Sequence, residues 1–335
     1  MNILILTGRF GMGHVKAAEA IKEQILQENR DAKVTTIDFI DYMFPVLSKT
    51  IYQGFNFMVS RCSGLYNAMN KAAGKNSGVP LKLTFTRKID RLIEEHNADA
   101  IVVAFPVCSQ YISSYTYITD ITAHEEWIAP KTDKYFVGDI STKNALLSKG
   151  VSEEKIEITG IPVRQCFYQE YEKQNTGKKE VLIMGGGLGL IPSSEDFLEK
   201  LSKCRDIKVT VITGKNEKLK RELEKKFPAI EVIGYTQEVN RYMQRADLII
   251  TKAGGITTFE AIATKTPLYI IKPFLEQEFG NAKYIEDHNI GRVLWDTYAD
   301  EAEDILQLLR HDRLLETMKK NMQEIGKGFS KGLIA

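Results

Sequence analysis

Short apolar runs recur along this chain, and the segments between them carry apolar residues at helical spacing. The first half reads as strands at Ile3–Thr7, Val34–Asp38, Ala100–Ala104, Tyr115–Ile118, Tyr135–Val137 and Ile156–Thr159. The second half repeats the pattern at Val181–Met184, Lys208–Thr213, Glu231–Ile233, Leu248–Thr251 and Leu268–Ile271. Helical periodicity falls between them at Lys16–Asn29, Thr86–His96, Thr142–Lys149, Ser194–Lys203, Lys218–Phe227, Thr257–Ala263 and Asn281–His288. Strands that are apolar throughout, alternating with helices, predict parallel sheets covered on both faces. The polar, aperiodic stretch Tyr168–Lys179 interrupts the alternation and reads as a linker. Two doubly wound domains are therefore expected, and two such domains facing each other offer a cleft at the carboxyl ends of their strands.

At 335 residues the chain exceeds one typical core, in agreement with two domains. Its 43% hydrophobic and 27% charged residues describe an ordinary globular protein, and a net charge of +1 gives no global attraction to nucleic acid or membrane. The four cysteines, Cys62, Cys108, Cys166 and Cys204, lie far apart without a C-x-x-C pair, so they outline neither a metal site nor a disulfide framework. No apolar run approaches the roughly 20 residues needed to span a bilayer. The start, MNILILTGRFGMG, has no basic region of the kind that opens a signal peptide. A cytoplasmic chain with reduced thiols is the expectation.

One segment departs from this neutrality. Between Tyr42 and Leu92, Lys49, Arg61, Lys71, Lys75, Lys82, Arg87, Lys88 and Arg91 stand against Asp90 alone: eight cations to one anion, or +7. Seven aromatic residues are interleaved with them. Rings that enter the interface beside cations that attract head groups suit an anionic membrane surface. The alternative is a solvated basic face on a helical insertion with a core of aromatics. No motif supports nucleic acid.

Candidate chemistry gathers at glycine turns that follow strands. Gly8-Arg-Phe-Gly11-Met-Gly13-His14 resembles a dinucleotide fingerprint, but Lys16 stands where the third glycine is needed, and Asp38 alone does not rescue that reading. His14 would sit at a helix start, where the dipole disfavours its charged form. Gly185–Gly189 contains three adjacent glycines and Gly189, and after Thr251 come Gly254 and Gly255 with Thr257 and Glu260. Free amides at a helix start bind phosphate. Thr257-x-x-Glu260 is equally a capping box that satisfies only its own helix. No Asp-x-Asp pair is present to hold a metal on a diphosphate.

Together these segments resemble the glycosyltransferase group that contains monogalactosyldiacylglycerol synthases and processive diacylglycerol glucosyltransferases. They are more distantly similar to the bacterial transferase that adds N-acetylglucosamine to the lipid-linked peptidoglycan precursor. The likeness is carried by GxGHxxAAxAI at Gly11–Ile21, TDxxxHxxW at Thr119–Trp127 and GIPV at Gly160–Val163. It continues in GGGxG at Gly185–Gly189, GYT at Gly234–Thr236, TKAGGxT at Thr251–Thr257 and QExxNA at Gln277–Ala282. Glu276 departs from the glycine that commonly precedes the QE pair, and the stretch between Pro106 and Thr119 is shorter than the family usually has.

The resemblance implies an α/β GT-B fold of two facing Rossmann-like domains. Residues 1–165 would bind acceptor and membrane, 166–179 would link, 180–315 would hold a UDP-sugar, and 316–335 would form a crossover helix. It implies inverting transfer of a hexose to a diacylglycerol-type lipid, with no metal and no cofactor beyond the UDP-hexose donor. The site would lie on the inner face of the cell membrane. His14 would be the base, with Asp120 as its catalytic companion on the acceptor side. Gly13, Gly187, Gly255, Ile256 and Thr257 would meet the phosphates, Glu260 the ribose, and Tyr235 and Thr236 the uracil. Gln277, Glu278 and Asn281 would read the sugar. Trp127 and His124 would face the acceptor, and Lys71, Lys75, Arg87 and Lys88 the anionic membrane. A nucleotide-sugar epimerase of the same shape, or a non-catalytic UDP-sugar- or lipid-binding protein, are the alternative readings.

Overall fold

The computed structural model describes residues 1–61, 82–171, 177–186, 195–273, 275–295 and 300–329. The chain forms two compact units, Met1–Gln165, to which it returns at Phe329, and Cys166–Gly328.

Among the described residues of the first unit, six parallel strands form one sheet: β1 (Asn2–Thr7), β2 (Lys33–Asp38), β3 (Ala100–Val103), β4 (Ser114–Tyr117), β5 (Thr132–Val137) and β6 (Ile156–Ile158). Their order is β2-β1-β3-β4-β5-β6. Helices α1 (Gly13–Glu28), α2 (Phe39–Met43), α3 (Ser48–Arg61), α4 (Lys82–His96) and α5 (Ile140–Ser148) accompany it. Alternate residues of β1 serve two cores. Ile3 and Ile5 pack on Ala18, Ile21 and Ile25 of α1, whereas Leu4 and Leu6 pack toward Phe39, Tyr52, Ile89 and Leu92 of α2, α3 and α4. Each such side chain contributes on the order of 1.5–3 kcal/mol on burial. The α3–α4 helices thus supply one face of a central strand, and the basic segment is in part a structural cover.

The second unit repeats the plan with β7 (Lys179–Met184), β8 (Ile207–Ile212), β9 (Glu231–Ile233), β10 (Leu248–Thr251), β11 (Leu268–Ile270) and β12 (Gly291–Val293). Among the described residues the order is β12-β11-β10-β7-β8-β9, again all parallel. Its helices are α6 (Glu195–Lys203), α7 (Glu217–Lys226), α8 (Val239–Arg245), α9 (Gly255–Thr264), α10 (Glu276–Asp287), α11 (Glu301–Arg310) and α12 (Asp312–Lys327). The starts of β7 and β10 are locked together: Asp247 Oδ2 accepts from the Glu180 amide at 2.8 Å, and Arg245 holds the buried Glu180 carboxylate at 3.0 Å.

Of the crossover helix expected at 316–335, residues 330–335 lie outside the described residues. Helix α12 begins at Asp312 and buries Leu315, Met318 and Met322, with Leu315 and Met318 in the core of the second unit. The return is made by Phe329. Gly160 has φ of +74°, and a Cβ on it would stand 2.9 Å from the Phe329 ring. Only glycine fits both that conformation and that contact.

Candidate functional site

In each sheet the strand order reverses at one point, and open parallel sheets hold ligands there, beyond the carboxyl ends of the strands. In the first unit that point lies between β1 and β3, and in the second between β7 and β10. The turns singled out in the sequence leave the sheets at these strands.

After β1, Gly8 passes so near Phe105, at the end of β3, that a Cβ would stand 3.2 Å from the ring. Gly11, at φ of +80°, turns the chain into α1. The helix begins at Gly13 rather than the expected Lys16, which places His14 in its first turn. His14 Nδ1 lies 2.9 Å from Thr119 Oγ1, on the loop after β4. Phe105 meets the imidazole edge-on at 5.4 Å between centroids, and Trp127 lies at 6.2 Å. Burial pushes the His14 pKa below the ordinary histidine value, while the Asp120 carboxylate and a backbone hydrogen bond with Ala104 oppose that shift in part. The dipole of α1 acts in the same direction as burial. Burial and dipole thus both favour the neutral imidazole, against the Asp120 carboxylate.

Trp127 is buried, packed with Ile118, Tyr135 and Val137, so it forms the wall behind His14. His124 Nε2 stands at 3.5 Å from Thr122 Oγ1. Asp38, where a dinucleotide ribose would be expected, is already engaged. It accepts from Tyr52 Oη at 2.7 Å, from the Asp41 amide at 2.9 Å and from Arg9 Nε at 3.0 Å. That network clamps the loop through Arg9, and Phe10 stacks on Phe105 at 5.2 Å. The stretch between Pro106 and Thr119 holds one short 3-10 turn, Pro106–Gln110, and β4.

In the second unit, α9 starts at Gly255, and its cap residue, Gly254, has no side chain with which to bond the first amides. Thr257 is therefore inside the helix, and the Thr257–Glu260 capping box is not formed. Thr258 Oγ1 instead donates to the Gly254 carbonyl at 2.9 Å. Uncapped amides at the end of a helix dipole form an anion site. Gly255, Ile256 and Glu260 are all buried there.

Helix α10 begins at Glu276, five residues earlier than the expected Asn281, and this start turns Glu278 and Asn281 inward. Both are buried, at 2% and 1% exposure. Asn281 Nδ2 donates to the Ala253 carbonyl at 3.0 Å and fixes the loop before α9. Glu278 Oε1 pairs with Lys252 Nζ at 3.2 Å. Lys252 was not among the expected residues. Tyr235 is exposed, with the Lys215 ammonium 5.8 Å from its ring centre, and Thr236 Oγ1 accepts from the Glu238 amide at 3.1 Å.

Of the remaining candidates, Gly187, Lys71 and Lys75 lie outside the described residues, and for Gln277 only the backbone is described. Arg87 is exposed, and Lys88 Nζ donates to the Met43 carbonyl at 2.9 Å. Nearby, Val46 is 88% exposed, with Leu47 and Phe57 also open to solvent. Among the described residues no three His, Cys, Asp or Glu side chains gather as a metal would need, and no helix is long and apolar enough to cross a membrane.

The model of the monogalactosyldiacylglycerol (MGDG) synthase family matches residues 14–163, and that of the glycosyltransferase family 28 C-terminal domain matches 181–333. A processive diacylglycerol beta-glucosyltransferase of Bacillus licheniformis is 30% identical over 350 residues, covering 97% of this chain and 91% of its own length. Among solved structures, S. aureus MnaA with UDP superposes with a TM-score of 0.63 at 14% identity, covering 98% of this chain and 94% of that one. Acinetobacter baumannii MurG gives 0.60 at 15% identity, covering 98% and 96%. These likenesses place both sheets in the GT-B fold.

Proposed function

The chain belongs to the processive diacylglycerol beta-glucosyltransferase family, and we propose that it moves a hexose from a UDP-sugar to diacylglycerol with inversion at the anomeric carbon, without a metal, at an anionic membrane surface. It is a UDP-sugar glycosyltransferase that makes glycolipid. The single observation that carries the mechanism is His14, seated in the first turn of α1 with Nδ1 2.9 Å from Thr119 Oγ1 and its pKa lowered by burial.

With Nδ1–H donating to Thr119 Oγ1, the imidazole lone pair lies on Nε2, the tautomer that a base requires. The acceptor hydroxyl loses its proton to His14 as its oxygen attacks C1 of the sugar. Asp120, whose charge already acts on His14, stabilises the imidazolium that forms. UDP-hexoses are α-linked, so direct attack from the opposite face gives a β product. The beta linkage in the name of the Bacillus licheniformis relative supports that outcome.

On the second unit the uncapped start of α9 receives the diphosphate, Glu260 the ribose hydroxyls, and Tyr235 with Thr236 the uracil. Gln277, Glu278 and Asn281 read the sugar. This arrangement relies on dipoles and a cationic side chain for leaving-group charge and needs no metal ion. For the membrane, exposed Val46, Leu47 and Phe57 supply apolar contact, and Lys49 with Arg87 supply positive charge.

Radiolabel transfer from UDP-glucose and UDP-galactose into diacylglycerol in anionic vesicles, with and without a chelator, tests the proposal. A β-linked glycolipid formed equally in both conditions is the expected result. Loss of product with chelator overturns metal independence, and an α-linked product overturns inversion.

A further inference from the structure

The side chain of Lys252 connects three elements around the proposed donor site. It follows β10 directly, and its carbonyl accepts from the Gly254 amide at 2.8 Å, beside the uncapped start of α9. Its stem passes the turn after β7, where a Cβ on Gly186 would stand 3.6 Å from Lys252 Cε. Its ammonium ends 3.2 Å from Oε1 of Glu278, in the first turn of α10. Glu278 is almost wholly buried, whereas the lysine side chain remains about a third exposed (34%). The pair therefore joins one fixed carboxylate to one cation with room to turn.

We propose that Lys252 is the catalytic cation for the departing nucleoside diphosphate, and that Glu278 and the diphosphate compete for it. The inference rests on the donor site proposed above. As the acceptor oxygen bonds to C1, the bond from C1 to the β-phosphate oxygen breaks and its electron pair stays on that oxygen. The acceptor proton goes to His14. Lys252 loses no proton; it turns from Glu278 toward the oxygen that gains charge and donates a hydrogen bond to it. A diphosphate offers two or more negative charges against the single charge of Glu278, and a sugar hydroxyl arriving with it would replace the ammonium at the buried carboxylate. The same movement opens Glu278 Oε1 to a sugar hydroxyl. Phosphate binding and sugar reading are thereby coupled through one side chain.

Calorimetric titration of the full chain with UDP and with uridine tests this, using Lys252→Met, Lys252→Arg and Glu278→Gln. Lys252→Met is expected to weaken UDP binding about 30-fold, in the range of one charge-assisted hydrogen bond, and leave uridine within about twofold. Lys252→Arg, which keeps the charge, should bring UDP back to within about fivefold of the parent. Glu278→Gln removes the competitor and should tighten UDP by roughly threefold while lowering the rate of hexose transfer. The proposal is overturned if Lys252→Met weakens UDP and uridine alike, which is the signature of a purely structural ion pair. It is equally overturned if UDP affinity is unchanged. A parent protein that binds neither ligand would instead bring down the donor-site reading itself.

Discussion

Nδ1 of His14 lies 2.9 Å from Oγ1 of Thr119, a residue 105 positions further along the chain. The contact joins the helix that follows β1 to the loop that follows β4. It fixes the plane of the imidazole and hands one of its nitrogens a permanent partner. The proposed base role assigns the proton-accepting lone pair to the other nitrogen.

His14→Ala is expected to lower turnover by about 100- to 10,000-fold, the usual range for a general base, and to leave UDP affinity unchanged. Steady-state kinetics with parallel calorimetry make the check. Turnover within threefold of the parent would remove His14 from that role.

The pH profile follows from the direction of the His14 shift. Burial lowers its pKa from 6.5, so the base form persists into mildly acid solution and the acid limb of kcat should have its midpoint below that value. Stability has the same sign. The unfolded chain takes up a proton on His14 near pH 6.5 that the folded chain refuses, so His14's share of stability falls as pH drops from there toward the depressed folded value. A limb centred above 6.5 would contradict the assignment.

Thr119→Val keeps the shape of the side chain and removes the hydroxyl. The imidazole loses its tautomer restraint, and kcat should fall about tenfold, or ~1.4 kcal/mol, with KM for the donor unchanged. Thr119→Ser should recover most of the rate. Equal losses in both variants would point to packing rather than to the hydrogen bond.

Much of this architecture was legible before the structure. Strand β10 falls where the apolar run placed it, because a strand buried along its whole length leaves an unbroken apolar signature. Strand β12 left almost none: it has three residues, and Gly291 is there because a Cβ would stand 2.5 Å from the Leu268 carbonyl. Helix α11 carries its signal in Ala302, Ile305, Leu308 and Leu309, spaced to form one buried face, and adds to the expected helices. The helix starts decided what could be seen of the site. Thr257 resembled a cap only while α9 was expected to begin there, and Glu278 is turned inward only because α10 starts at Glu276. The Lys252–Glu278 pair depends on β10 and β11 being neighbours, which no local pattern reveals.

Gly160→Ala tests the return of the chain. A β-carbon must adopt φ of +74° and displace Phe329, and the left-handed region alone costs about 1–2 kcal/mol. The midpoint of thermal unfolding should fall by several degrees. Phe329→Ala in the same background should relieve the steric part but not the conformational part. A melting point equal to that of the parent would mean that the loop adapts freely.

Val46→Asp with Leu47→Asp places charge on two adjacent exposed apolar residues of the first unit. Binding to anionic vesicles should fall about tenfold at high salt, where apolar contact dominates, with no change in melting temperature. Arg87→Gln with Lys49→Gln should weaken binding at low salt only. Sedimentation at two ionic strengths separates these contributions, and unchanged binding of both double variants would exclude this face from membrane contact.

The Phe329 contact on Gly160 also imposes an order of assembly. Synthesis proceeds from the amino end, so the first sheet is complete on the ribosome long before its last contact exists. Phe329 emerges only after the whole second unit has been made. A nascent chain stalled short of that point would carry every strand of the first sheet and still lack its closing clasp. The acquisition of full protease resistance by the first half should therefore wait until Phe329 has left the ribosome.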